Sequence, residues 1–166
     1  MVIRLTRWLR TDTSHVLSQG LPPRNLCKNP CDWSVRTIFK AIKLSDVPDV
    51  TAPDGSDIRL MDLAMSGASM VHCSIEPGGV TRTVRHKTVE ETWLCISGTG
   101  RLWRSDSGIE DMLELMPGIG VSIHTGTRFQ FRNDGTTNLE IVIVTIPPWP
   151  GDHEAVMSEG KWEPSI

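Results

Sequence analysis

Between Arg36 and Ile146 the chain is cut repeatedly by turn signals: MSG at 65–67, PGG at 77–79, SGTG at 97–100, SDSG at 105–108, PG at 117–118, HTG at 124–126 and NDG at 133–135. Glycine, proline and Asn/Asp at such sites turn the backbone, so only short segments fit between them. None of those segments carries a convincing helical period. The spacing instead predicts strands at 57–64, 69–76, 80–86, 90–96, 101–105, 110–115, 119–123, 128–133 and 138–146. RTIFKAIKL, from Arg36, suggests a first strand that ends in the turn-rich stretch SDVPDVTAPDG. Many short strands, glycine turns and no helical run imply an all-β antiparallel sandwich or barrel.

The flanks read differently. Residues 1–35 mix Arg, Pro, Asn, Cys and Trp without periodicity and are expected to be an irregular leader. The N-terminus is Arg-rich, with Asp12 as its first acidic residue, but no continuous apolar run follows, so a secretory signal is not expected. Residues 36–148 are expected to form the barrel. In 149–166, a tail packed on it, a short helix around 152–158 is expected, with Trp149 and Trp162 pinning the tail. Prolines 147, 148 and 150 bar this region from a sheet interior.

At 166 residues the chain is long enough for one domain with a real core. Its net charge of −3 argues against a general nucleic-acid binder. No apolar run approaches the length of a membrane span, and a cytoplasmic protein that binds neither nucleic acid nor membrane is expected. Cys73 and Cys95 lie in apolar strand-like runs and read as buried thiols. Cys27 and Cys31, in CKNPC, lack the two-residue gap of a zinc knuckle or redox pair.

Two stretches carry a family resemblance. In PGGVTRTVRHKTVEETWLCISGTGRLW, Gly78 is followed after five residues by Val84-Arg85-His86, after four more by Glu91, and after six more by Gly98. In PGIGVSIHTGTRFQFRN the corresponding positions are Gly118, His124-Thr125-Gly126, Phe129 and Asn133, with 19 residues between Gly98 and Gly118. These spacings resemble the two motifs of cupins. The resemblance is strongest to small single-domain cupins labelled mannose-6-phosphate-isomerase-like. It implies an antiparallel double-stranded β-helix, or jelly-roll barrel. In the family four side chains from these positions hold a metal; here Val84 and Phe129 stand at two of them.

Carried over, Val84, His86, Glu91 and Phe129 point inward, and strand alternation adds Arg82, Trp93, Cys95 and Phe131 as ligand-binding candidates. His72 falls on the opposite face from Val71, Cys73 and Ile75. Gln130 and Arg132 also alternate outward, as a candidate subunit contact. His15 and His153 carry no motif. No cofactor is expected; if a divalent transition metal (Fe, Mn, Ni or Zn) binds, His86 and Glu91 are its ligands, and a catalytic site usually needs a third. Without metal, the Glu91 carboxylate would orient His86 and raise its pKa, giving an acid/base pair for an isomerase, epimerase or lyase. Arg82 would anchor an acidic ligand, and Trp93 would stack on a sugar or aromatic ring. Three functions stay open: a metal-independent enzyme or binder of a small acidic or sugar-like molecule, a metal-dependent oxygenase or isomerase, and a non-catalytic assembly module. A homodimer is expected, with 37–44 as the crossing element.

Overall fold

The computed structural model describes residues 40–166. Their elements are β1 (Val50–Thr51), β2 (Asp57–Leu60), β3 (Ser69–Ile75), β4 (Val84–His86), β5 (Glu90–Ser97), β6 (Gly100–Asp106), β7 (Ile109–Leu115), β8 (Gly120–Ile123), β9 (Arg128–Asn133), β10 (Leu139–Ile146), a single 3₁₀ turn (Asp152–Glu154) and β11 (Ala155–Met157). There is no α-helix among the described residues.

The strands form two antiparallel sheets, ordered β1-β2-β3-β10-β5-β8 and β11-β4-β9-β6-β7. This is a jelly roll, with each strand's apolar face turned to the opposite sheet. β5 shows why: Glu91, Trp93 and Cys95 are buried, while Glu90, Thr92, Leu94 and Ile96 are exposed. β10 alternates in step, burying Leu139, Ile141, Ile143 and Thr145. A core of Cys73, Ile75, Leu115, Leu139 and Ile141 closes one end of the barrel. At Gly98 the backbone turns through φ +77°, and an added Cβ would run into the carbonyl of Asn138, so this motif position admits only glycine. Asn133 closes the second motif by donating from Nδ2 to the carbonyls of Ile75 (3.0 Å) and Thr137 (2.8 Å).

The C-terminal segment departs from expectation. In place of a helix over 152–158, one 3₁₀ turn leads into β11, which pairs with β4 through Ala155–His86 and Met157–Val84. Gln130 and Arg132 do leave the pocket side, but the outer face they occupy is covered by the chain itself. Gln130 donates to the carbonyls of Thr81 (2.7 Å) and Trp162 (2.8 Å) and accepts from the amides of Lys161 (2.9 Å) and Trp162 (2.8 Å). The Arg132 guanidinium lies 5.0 Å from the Trp162 ring centroid. The expected first strand is also absent where it can be followed: residues 40–44 pair with no strand among the described residues, and the first ladder is β1 on β2. The leader at 1–35, Cys27 and Cys31, and the start of the proposed crossing element lie outside the described residues.

Candidate functional site

Opposite the packed end, the two sheets enclose a cavity of about 620 Å³. β5 and β10 supply one wall, where Glu91 lies opposite Thr145 and Trp93 opposite Ile143. β4 and β9 supply the other, where Val84 lies opposite Phe129. The structure therefore brings together six of the eight expected residues: Val84, His86, Glu91, Trp93, Phe129 and Phe131 all line this space.

The other two do not. Cys95 is inward-facing but belongs to the packed core below the cavity. Arg82 is exposed, outside the cavity, with Nη1 on the carbonyl of Pro53 at 3.5 Å. The period-two alternation holds only within a strand, and β4 begins at Val84; Thr83 and Val84 are both buried, so the alternation breaks before Arg82 is reached. His72 faces away from the cavity, its Nε2 3.9 Å from Glu140 on the neighbouring strand.

The expected His–Glu pair has a different character from the one its spacing suggests. His86 Nδ1 stands 3.9 Å from Glu91 Oε1, beyond hydrogen-bond reach, and among the described residues Nδ1 has no hydrogen-bond partner. The Glu91 carboxylate turns to Trp93, whose indole Nε1 donates to Oε2 at 2.8 Å. Burial dominates both titrations. It pushes the Glu91 carboxyl up to about 7, against the lowering effect of the Trp93 and Thr145 hydrogen bonds. It pulls the His86 imidazole down to about 4, against the raising effect of Glu154. The order expected from sequence is thus reversed: at neutral pH the imidazole is uncharged, and the carboxyl is the group poised to exchange a proton.

Three further residues belong to the site. Trp149 packs edge-on against His86, with ring centroids 5.2 Å apart, while Phe129 packs against the imidazole at the same separation. Trp149 is thus a cavity wall more than a pin for the tail. Asp54, also at the cavity, is buried, and its Oδ1 accepts from the Ser56 amide (3.0 Å) and hydroxyl (2.7 Å). Burial raises its pKa, and its charge helps to raise that of Glu91. Glu154, behind the cavity, accepts from the amides of Thr88 and Val89 and from the Thr88 hydroxyl at 2.9 Å. Burial would raise its carboxyl, but those donors outweigh it and hold the carboxyl below the ordinary range. Asp54 gave no signal because it sits among turn residues. The Pro-Pro-Trp-Pro-Gly run that carries Trp149 was visible, but its reach back to His86 was not.

These residues do not fit a transition metal. Val84 and Phe129 have no donor atom, and Glu91 is committed to Trp93 on one oxygen. Among the described residues no group of three or more His, Cys, Asp or Glu side chains is placed to hold a metal ion.

Residues 71–145 match the family model described as "Cupin domain". No curated protein matches the sequence. Among solved structures, the chain is similar to a recombinant oxalate oxidase in complex with glycolate, at 21% identity and TM-score 0.58, over 70% of this chain and 62% of that one. It is similar to procruciferin, an 11S globulin from Brassica napus, at 25% identity and TM-score 0.54, over 66% of this chain and 30% of that one. A protein with a double-stranded β-helix domain from Klebsiella pneumoniae aligns over 72% of this chain and 91% of its own, at 19% identity and TM-score 0.51. The chain thus spans less than two thirds of the oxalate oxidase chain and under a third of the globulin.

Proposed function

We propose that this chain, whose residues 71–145 match the cupin domain, is a cupin-superfamily protein that uses its barrel cavity to bind a small molecule and move a proton beside a carbonyl group, with Glu91 as the acid/base and no metal in the step. The observation that carries this reading is the Glu91–His86 arrangement. A carboxyl with a pKa near 7 and an uncharged imidazole nitrogen face one cavity 3.9 Å apart, close enough to reach adjacent atoms of one substrate. Glu91, as carboxylate, takes a proton from the carbon next to a carbonyl, and the C–H electron pair moves into the carbonyl to give an enolate. His86 Nδ1–H donates to the developing oxyanion. Return of the proton from Glu91 to either side of the enolate makes the reaction an isomerisation or epimerisation, and expulsion of a leaving group makes it an elimination.

The test is deuterium incorporation from D₂O into a panel of small ketones and aldehydes, followed by mass spectrometry. Incorporation that Glu91→Gln abolishes, while binding of the same compound persists, supports the reading. Binding without incorporation for every compound that enters the cavity contradicts it.

A further inference from the structure

Building on that reading, we infer that the cavity selects substrates by charge: it takes an uncharged carbonyl compound bearing an apolar group of about the size of a benzene ring and rejects the corresponding carboxylate. Four observations carry this. Every formally charged side chain on the cavity wall among the described residues is acidic: Asp54 and Glu91 inside, and the exposed Asp62 and Asp152 at the rim. No Lys or Arg lines it among the described residues, and Arg82 lies outside. Asp62 is paired with Lys40, and the Arg82 charge acts on Asp54 from outside. Glu91 and Asp152 have no Lys or Arg partner among the described residues, so an anion entering this space would meet a repulsion that desolvation strengthens.

The remaining wall is hydrophobic. Trp93 sits edge-on to Phe129 (5.5 Å) and to Phe131 (5.1 Å), and Trp149 and Phe129 flank His86. Ile58, Ile143, Met61 and Met70 complete the lining. At about 620 Å³ the space suits a small organic molecule rather than a two-carbon acid.

The acidic groups alone would not define a site. The buried His86, 4% exposed, also lines this space, and its Nδ1 has no hydrogen-bond partner among the described residues. An unpartnered polar atom in so apolar a setting is costly unless a ligand satisfies it. A carbonyl oxygen does so by accepting from Nδ1–H, leaving the adjacent carbon beside Glu91. A carboxylate would bring its second oxygen against Glu91.

The experiment titrates wild-type protein at neutral pH with three matched probes, read by tryptophan fluorescence from Trp93 and Trp149. The probes are 4-phenylbutan-2-one, 3-phenylpropanoate and 3-phenylpropylamine. The ketone should bind at least about 10-fold more tightly than the acid, the scale of one uncompensated like-charge contact, and the amine should also bind more tightly than the acid. In Glu91→Gln the ketone-to-acid ratio should shrink; in Asp152→Asn, on the exposed rim, it should shrink less. Acid binding equal to or tighter than the ketone overturns the charge selection while leaving the cavity as a binding site. So does amine binding no tighter than the acid. If none of the three binds, both the selection and the proposed function fall.

Discussion

Glu91 and His86 hold opposite positions in the protonation balance of the folded chain, and each leaves a signature in stability. Glu91, raised from an ordinary 4.5 to about 7, favours the folded state fully below pH 4.5, and that contribution is lost as pH rises through 7. His86, lowered from 6.5 to about 4, favours the folded state above pH 6.5 and loses that contribution as pH falls through 4. Asp54 adds to the first tendency, its pKa being raised, and Glu154 to the second. Glu91→Gln removes only the Glu91 part, because an amide does not ionise. Its stability relative to wild type should therefore rise between pH 4.5 and 7, by up to roughly 3 kcal/mol for a shift of this size. Urea denaturation across that range checks it, and a difference that stays constant with pH contradicts the buried-carboxyl account. Both residues were legible in the sequence because motif spacing fixes their place on strands. Their titration was not, because desolvation depends on Trp93, Trp149 and Phe129 closing around them from three separate parts of the chain. Arg82 was misplaced because alternation was carried past the start of β4.

At the level of elements, β3 and β5 to β10 were readable to within a residue or so from turn chemistry, whereas β2 and β4 are shorter than the expected 57–64 and 80–86, β1 lies in the stretch read as turn-rich, and the C-terminal segment was not readable. Period-two alternation says which face of β9 leaves the core but not what lies on it. Gln130 supplies the answer: both its amide hydrogens and both its carbonyl lone pairs are engaged, tying Thr81 and residues 161–162 to β9. The approach is close, since a side chain at Gly160 would run into Thr83 Oγ1. Gln130→Ala leaves buried backbone groups unsatisfied and should cost about 2–4 kcal/mol. It should also make the segment after Met157 sensitive to limited proteolysis, with the cut sites read by mass spectrometry. A variant as stable and as protease-resistant as wild type would show that the segment is held by other contacts.

For the molecule as a whole, the jelly roll packs one end of the barrel and leaves a cavity at the other. Leu115, Leu139, Ile141, Cys73 and Ile75 fill the space between the sheets away from the cavity. At the other end, the wall residues Val84, Phe129, Phe131 and Trp93 leave a cavity with Glu91 and His86 on its surface. Where the family's motif would supply a full set of metal-binding side chains, this chain places a methyl-bearing and an aromatic one. The proposed chemistry uses one buried carboxyl and one neutral imidazole. The proposed proton transfer therefore depends on the protonation state of Glu91 near neutral pH. Carbon-detected NMR of the glutamate side-chain carboxyls follows it directly, with Glu91→Gln assigning the resonance. A titration midpoint near 7 is expected for Glu91 in the ligand-free protein; a midpoint at the ordinary carboxyl value of about 4.5 would contradict the proposed role of Glu91.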